Sequence, residues 1–214
     1  MEPSPSLRVY GGVRGDQRRA ERRAQLIEAG LDLLGSADGA KLTVRGACQR
    51  AGVVARYFYE SFADRDDLAS AVYDHVVAEL ADSTLAAVAA AEDLPIARAR
   101  AGLDNIVRLI ESDPRKGRVL LSAELTDTLI ARRRRDSARL FSRLLGEQAR
   151  HAYGKPGTAA AALTSTFMVG GFGAALTAWL EDEVPMNREA LVEQCARLLL
   201  GITETPLVPG ETGG

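Results

Sequence analysis

The stretch LTVRGACQRAGVVARYFYESFADRDDL, residues 42–68, decides how the whole chain is read. Thr43 is placed to cap a short helix, because its side-chain oxygen can accept an N–H of the first turn. Val44, Ala47, Cys48 and Ala51 then recur at i, i+3, i+4 and i+7, which gathers small apolar groups on one face and leaves Arg45, Gln49 and Arg50 outside. Small inner residues let another helix come close. Gly52 stops this helix, since glycine readily takes the left-handed conformation just past a helix end. Val53 is expected to pack down at the turn. The segment ARYFYESF, 55–62, forms a second short helical piece and holds four of the chain's ten Tyr and Phe residues. Phe58 and Phe62 stand at i and i+4, so both can point inward and fasten the short helix to its neighbours. Tyr57 and Tyr59 project from other faces. Asp64 can then cap a long helix, with Asp66 and Asp67 favourably placed in its first turn. Leu68, Val72, Val76 and Leu80 continue it at i+4 steps.

Two short helices joined by a tight glycine turn, with helices before and after, make a helix-turn-helix pattern. In such a motif the first helix crosses the DNA backbone and the second enters the major groove. A tyrosine hydroxyl can donate to a phosphate oxygen. Arginine can donate two hydrogen bonds to a guanine edge, which makes Arg56 the candidate base reader. The bland reading stays beside this one: Tyr57 and Tyr59 as half-buried packing residues, Arg45 and Arg56 as surface charges. Upstream, a helix from Gln17 to about Gly35 is expected, with Ala24, Ile27, Leu31 and Leu34 on one face. Arg18, Arg19, Arg22 and Arg23 crowd its start, either as a solvated face or as an arm that touches DNA. Residues 1–16, rich in Pro, Ser and Gly, read as a disordered tail.

Residues 23–68 resemble the N-terminal domain of TetR-type transcriptional repressors. The resemblance rests on LTVRGACQRAGV, ARYFYESF and ADRDDL, in order and without gaps. It implies an all-α homodimer, cytoplasmic, with a three-helix DNA-binding domain at 17–64. A larger helical domain at 65–205 would bind a small-molecule effector that releases the DNA, and its last two long helices would form the dimer. Residues 206–214 would be a second tail. Carried onto this sequence, the DNA-facing positions are Thr43, Arg45, Val54, Ala55, Arg56, Tyr57, Tyr59 and Arg65. One departure stands out. Where the family usually places Ser or Thr after Ala-Gly-Val, this chain has Val54, which cannot cap, and the helix start should be weaker by about 1 kcal/mol. The alternative is a helical small-molecule-binding or interaction protein that has lost specific DNA binding.

The net charge of −2 hides an alternation. Residues 1–60 and 114–155 are net basic, whereas 61–113 and 156–214 are net acidic. No apolar run of about 20 residues stands out, so no membrane span is expected. Cys48 and Cys195 lie far apart, and two free thiols are expected rather than a metal site. No phosphate-cradling glycine loop, HExxH, Gly-x-Ser-x-Gly or Cys–His pairing is found, so neither an enzyme nor a cofactor is expected. His75 and His151 are isolated.

The C-terminal two-thirds is less legible. Pro95 should open a helix to about Ser112, with Leu103, Ile106, Val107 and Ile110 inside. DPRKGR should break it, and a short helix at 118–125 should lead into a long one through Leu140, Leu144 and Leu145 that ends by Gly154. KPG, 155–157, marks the next boundary. Residues 158–183 are rich in small residues, with Gly170, Gly171 and Gly173 inside an apolar run. A final helix, Arg188 to Gly201, puts Leu191, Val192, Cys195, Leu198 and Leu199 on one face. Candidate effector contacts on the central helices are Asn105, Glu124, Thr128, Phe141, Phe167 and Phe172, with Trp179 beside them; each also reads as a core or surface group. The run Arg132–Arg135 points all round its helix. It reads mainly as a solvated stretch able to pair with the acidic segments, with an acidic-effector role as the lesser alternative.

Overall fold

The computed structural model describes residues 10–38, 40–121, 128–153 and 158–204. Among the described residues every regular element is a helix: α1 (Tyr10–Leu34), α2 (Val44–Ala51), α3 (Ala55–Tyr59), α4 (Arg65–Ala90), α5 (Pro95–Ser112), α6 (Pro114–Leu121), α7 (Thr128–Tyr153), α8 (Ala159–Leu180) and α9 (Arg188–Glu204). The chain divides into two units, Met1–Val72 and Tyr73–Gly214. The division therefore falls inside α4 and not before it, because Leu68 and Val72 pack down onto α1.

In the first unit the caps follow the sequence. Thr43 Oγ1 accepts the Gly46 N–H at 3.0 Å. Gly52 sits at φ 66°, in the left-handed region, and Val53 N–H closes the turn on Cys48 O at 2.9 Å. Asp64 accepts from the Asp66 and Asp67 amides at 2.9 and 2.8 Å, while Asp67 accepts from Ala63 N–H at 3.0 Å. The arrangement resembles a capping box, except that Asp67 reaches back to the residue before the cap and not to the cap itself. The core is Leu26, Ile27, Leu31, Ala47, Phe58, Phe62, Leu68 and Val72, all buried. Gly30 lets α1 lie close against α4, for a Cβ there would stand 2.7 Å from Val72 Cγ2.

Two expectations change here. Helix α1 starts at Tyr10, so residues 10–16 are helix and not tail; once a long helix is nucleated, each added residue costs little. Its inner face is also broader and rotated. Ala24 is exposed and Leu34 half-buried, while Leu26, Ala29, Gly30 and Leu33 are buried. A helix that packs against several neighbours needs a wider stripe than one i, i+3, i+7 line.

The second unit is built on α5 and α9. Leu103, Val107 and Ile110 of α5 meet Leu191, Val192, Cys195 and Ala196 of α9, with Leu176 of α8. Ion pairs line the seam: Arg100 to Glu193 at 2.6 Å, and Arg188 to Asp104 at 3.3 Å and Glu111 at 3.1 Å. Helix α6 begins at Pro114, directly after α5, and not at about 118. Proline suits the first helical position, where no N–H is needed, so it starts this helix where it was expected only to break the preceding one. Gly117 lies inside α6 because a Cβ there would stand 2.8 Å from Ile110 Cγ2.

Helix α8 corrects a further expectation. It is an apolar run of 22 residues, long and apolar enough by length and composition to cross a membrane, although only 17% of its most apolar window is buried. Thr164, Ser165, Thr166 and the three glycines dilute the run to the eye without adding a charge. Leu163 and Phe167 are 71% and 66% exposed, and Leu198 of α9 is 55% exposed. Both cysteines are free and buried, and burial pushes both thiols up from their ordinary pKa. The predicted tail at 206–214, the boundary at 155–157 and the last residues of the expected 118–125 helix lie outside the described residues.

Candidate functional site

Two places in the molecule carry chemistry. The first is the outer surface of α2 and α3. Helix α3 is only five residues long and starts at Val54 with no side-chain cap. It is held from beneath: Phe58 is fully buried and Phe62 nearly so, with ring centroids 5.7 Å apart. Isolated helices this short do not persist in water, so packing supplies the stability. What remains outward is Val54, Ala55, Arg56, Tyr57 and Tyr59, all exposed, together with Thr43 and Arg45 of the preceding helix and Arg65 of the next. The Arg56 side chain is 85% exposed, with Glu60 Oε1 3.6 Å away. Arg65 pairs with Asp66 at 2.6 Å.

The arginines of α1 stay largely exposed, as a solvated face would be, and also make contacts that the sequence did not suggest. They belong to a helix, and three reach the aromatic segment. The Arg22 guanidinium lies 4.3 Å from the Tyr57 ring centroid and Arg23 lies 5.1 Å from that of Phe62. Arg22 also approaches Glu60 at 3.7 Å, and Arg19 donates to the Glu60 carbonyl. Cation–π contacts of this kind stabilise by about 0.5–1 kcal/mol at exposed sites. They orient α3 from one side while Phe58 anchors it from below.

The second place is a cavity of about 470 Å³ inside the second unit. Its walls come mainly from α4, α5, α7 and α8 and are mostly aliphatic, with Leu80, Leu85, Val88, Leu103, Leu144 and Met168 among them. The polar groups on the wall are few. Tyr73 Oη shares a hydrogen bond with Ser137 Oγ at 2.8 Å, and Arg134 stands in the same helical turn as Ser137. Burial pushes the Tyr73 hydroxyl up, and the Ser137 hydrogen bond and the Arg134 charge draw it part of the way back. Burial also holds Arg134 below its ordinary value.

With this geometry in view, known proteins can be set beside it. No family model matches the chain. Over 83 residues, 39% of its length, the chain is 39% identical to the HTH-type transcriptional regulator BetI of Burkholderia thailandensis. It spans less than half the length of that relative, 43%. Among solved structures it is similar to the fatty acid degradation regulator FadR of Bacillus halodurans, at 17% identity, TM-score 0.66, over 84% of this chain and 95% of that one. A TetR-family transcriptional regulator of Streptomyces coelicolor matches at 16% identity, TM-score 0.66, over 86% and 80%. FadR of Bacillus subtilis, solved in complex with stearoyl-CoA, matches at 15% identity, TM-score 0.64, over 82% and 96%. The chain has the TetR fold.

Within the TetR fold the expected effector contacts scatter. Phe141 and Phe172 line the cavity. Asn105 is half-buried and donates to Ser83 Oγ at 2.9 Å and Thr84 Oγ1 at 3.1 Å, so it ties α5 to α4 behind the wall. Phe167 faces outward, away from the lining, because α8 turns that face from the unit. Trp179 packs against the α5–α9 core and donates to Met186 O at 2.7 Å. Thr128 opens α7. Glu124 lies outside the described residues.

The cavity residues that sequence reasoning missed are Tyr73 and Ser137, and Arg134 was covered only by the lesser, acidic-effector reading of the whole Arg132–Arg135 run. The four consecutive arginines separate by face. Arg133 pairs with Asp74 at 3.0 Å, Arg134 turns to the cavity wall, and Arg132 and Arg135 are exposed. A helix-face count from Leu144 back through Phe141 and Ser137 would have placed Arg134 on that line, at steps of three and four.

Proposed function

We propose that this chain is a ligand-responsive transcriptional repressor that binds a palindromic operator as a homodimer and is released when a small molecule enters the cavity of the second unit. The observation that carries the reading is the division of the segment 55–62: Phe58 of α3 and Phe62 just after it are spent inward, and Arg56, Tyr57 and Tyr59 are left outward on a helix too short to serve as core. In this reading Arg56 reads a base edge, Tyr57 and Tyr59 meet phosphates, Thr43, Arg45 and Arg65 add backbone contacts, and Val54 and Ala55 approach the groove. The protein acts in the cytoplasm and needs no cofactor.

A two-fold operator calls for a two-fold protein, with recognition helices roughly 34–36 Å apart. The exposed faces of α8 and α9 support that dimer. Leu163, Phe167 and Leu198 are apolar and uncovered, and a Cβ added at Gly170 or Gly171 would meet nothing within 4 Å, which leaves room for a facing helix. Effector binding then favours a different separation of the recognition helices, carried by α4, which contributes to both units.

The deciding measurement is a mobility shift with the DNA upstream of the chain's own gene. A retarded complex that random DNA displaces only weakly is expected. Arg56→Ala should relax preference at one base pair, and Tyr59→Phe should weaken all sequences alike. Equal affinity for operator and random DNA would leave the non-DNA alternative standing. Phe167→Glu should shift the dimer to monomer by about tenfold or more in sedimentation, with helical content unchanged.

A further inference from the structure

We propose that the cavity of the second unit binds an unbranched aliphatic chain carrying one anionic head, with the head seated on Arg134 beside Tyr73 and Ser137. This rests on the reading of that cavity as the effector site and adds the chemistry of what enters it.

The cavity is long. Its lining runs from Tyr73 to Val88 along α4 and from Arg134 to Gln148 along α7; at about 1.5 Å per residue, each wall extends roughly 21–23 Å. Its volume, about 470 Å³, lies in the range of small-molecule sites. A long, narrow, largely aliphatic space suits an extended chain better than a compact ring system.

The two ends differ. At one end stand Tyr73, Ser137 and Arg134. Arg134 Nη2 donates to Val119 O at 3.3 Å, which is long for such a bond, and its Nε is buried without an acceptor. No carboxylate among the described residues pairs with it, whereas its neighbour Arg133 has Asp74 at 3.0 Å. A guanidinium offers five donors, and a partly desolvated cation with few acceptors is costly. An anion on the cavity side would offset that cost with charge-assisted, two-pronged hydrogen bonds. The Tyr73 hydroxyl, hydrogen-bonded to Ser137 Oγ at 2.8 Å, is placed to turn its proton to the same head, whereas the Ser137 hydroxyl already donates to the Arg134 carbonyl at 3.0 Å.

The other end is marked by Gly102, which packs on Val88 and Thr84, and by Arg98 one turn earlier on α5. The Arg98 Nε is likewise buried without an acceptor, but its guanidinium has a carboxylate partner in Asp93 at 3.1 Å, which Arg134 lacks among the described residues. The head therefore goes to Arg134, and the tail runs toward Val88 and Gln148.

Calorimetry on the full chain with decanoate, decyl phosphate, decanol and decylamine tests this. Decanoate or decyl phosphate should bind at least tenfold more tightly than decanol, and decylamine more weakly than both anions. The stronger of the two anions tells a carboxylate from a phosphate head. Arg134→Gln should erase the tenfold preference and leave decanol binding as it was. Arg134→Lys should restore part of the preference. Should Arg134→Gln fail to fold, the four compounds on the unaltered chain still decide. Decanol binding as tightly as both anions, or loss of the preference in Arg98→Gln but not in Arg134→Gln, overturns the proposal. Operator DNA measured alongside separates the two readings. Arg134-dependent anion binding without release of DNA sinks the effector role and leaves the ligand class intact. Specific operator binding with no affinity for any of the four compounds sinks the ligand class and leaves the regulator intact.

Discussion

Phe58 and Phe167 both sit on helices, and they meet opposite fates. Phe58 is fully buried beneath a five-residue helix; Phe167 is 66% exposed on a helix of 22. The short helix cannot form without an anchor, so its apolar residues point down and its polar and cationic ones are displayed. The long helix needs no such anchor, since its own ladder of hydrogen bonds runs its full length, and it can leave an apolar face uncovered for a partner. In the first region Phe58 holds a surface in place while Tyr57 and Tyr59 form it; in the second Phe167 is surface while Phe172 and Trp179 of the same helix pack inward. The difference teaches that an aromatic residue's role follows from which face of its helix has neighbours, not from the residue type.

The largest effect should come from breaking the anchor. Phe58→Ala should cost about 3–5 kcal/mol, because it empties a sealed site whose walls belong to helices that cannot all collapse inward. Denaturant unfolding followed by circular dichroism reads it, and a loss below about 1 kcal/mol would show that α3 is held by something else. A smaller effect should separate two glycines that both lie inside helices. Gly117→Ala drives a methyl toward Ile110 Cγ2, 2.8 Å from the added carbon, and should destabilise the chain by about 1–3 kcal/mol. Gly171→Ala meets nothing within 4 Å and should leave the monomer's stability unchanged or raise it by up to about 1 kcal/mol, while weakening self-association.

Val54→Ser should return the missing cap and stabilise the start of α3 by about 0.5–1 kcal/mol, seen as a small rise in Tm. An unchanged Tm would mean that packing already fixes that start. The smallest effect concerns Glu193. Hydrogen bonds from Arg100 and then Arg197 hold its carboxyl at about 2, below its ordinary 4.5. A carboxylate lowered by folding stabilises the native state above its unfolded value, and that contribution is lost as pH falls through the folded one. The unaltered chain should therefore lose a little stability from about pH 4.5 down to about pH 2 that Glu193→Gln does not lose. Acid titration of both chains, followed by fluorescence, compares them.

Local chemistry made much of the first unit readable. The Thr43 cap, the left-handed Gly52, the Asp64 cap and the inward Phe58 and Phe62 each depend on residues within a turn or two of one another, and all stand as expected. The i+4 row Leu68, Val72, Val76 and Leu80 is buried throughout for the same reason. Features set by distant neighbours were not readable. The arginines of α1 were assigned to solvent or DNA, yet Arg22 and Arg23 lie over rings that follow them by more than thirty residues. Asn105 looked like a ligand contact and is a strut between two helices. Arg134 looked like one of four equivalent charges; only the packing of α7 against the cavity makes it different.

The sequence by itself determined that every regular element among the described residues is a helix, where α2 begins and ends and where α4 begins, and which side of the short aromatic helix turns outward. Those properties follow from hydrogen bonds and hydrophobic periodicity within one or two turns. The tertiary structure alone decided that the α7 face shared by Arg134, Ser137, Phe141 and Leu144 borders a long apolar cavity, and which face of α8 is left bare. Those outcomes depend on how helices far apart in the chain pack against one another, and no local pattern encodes that.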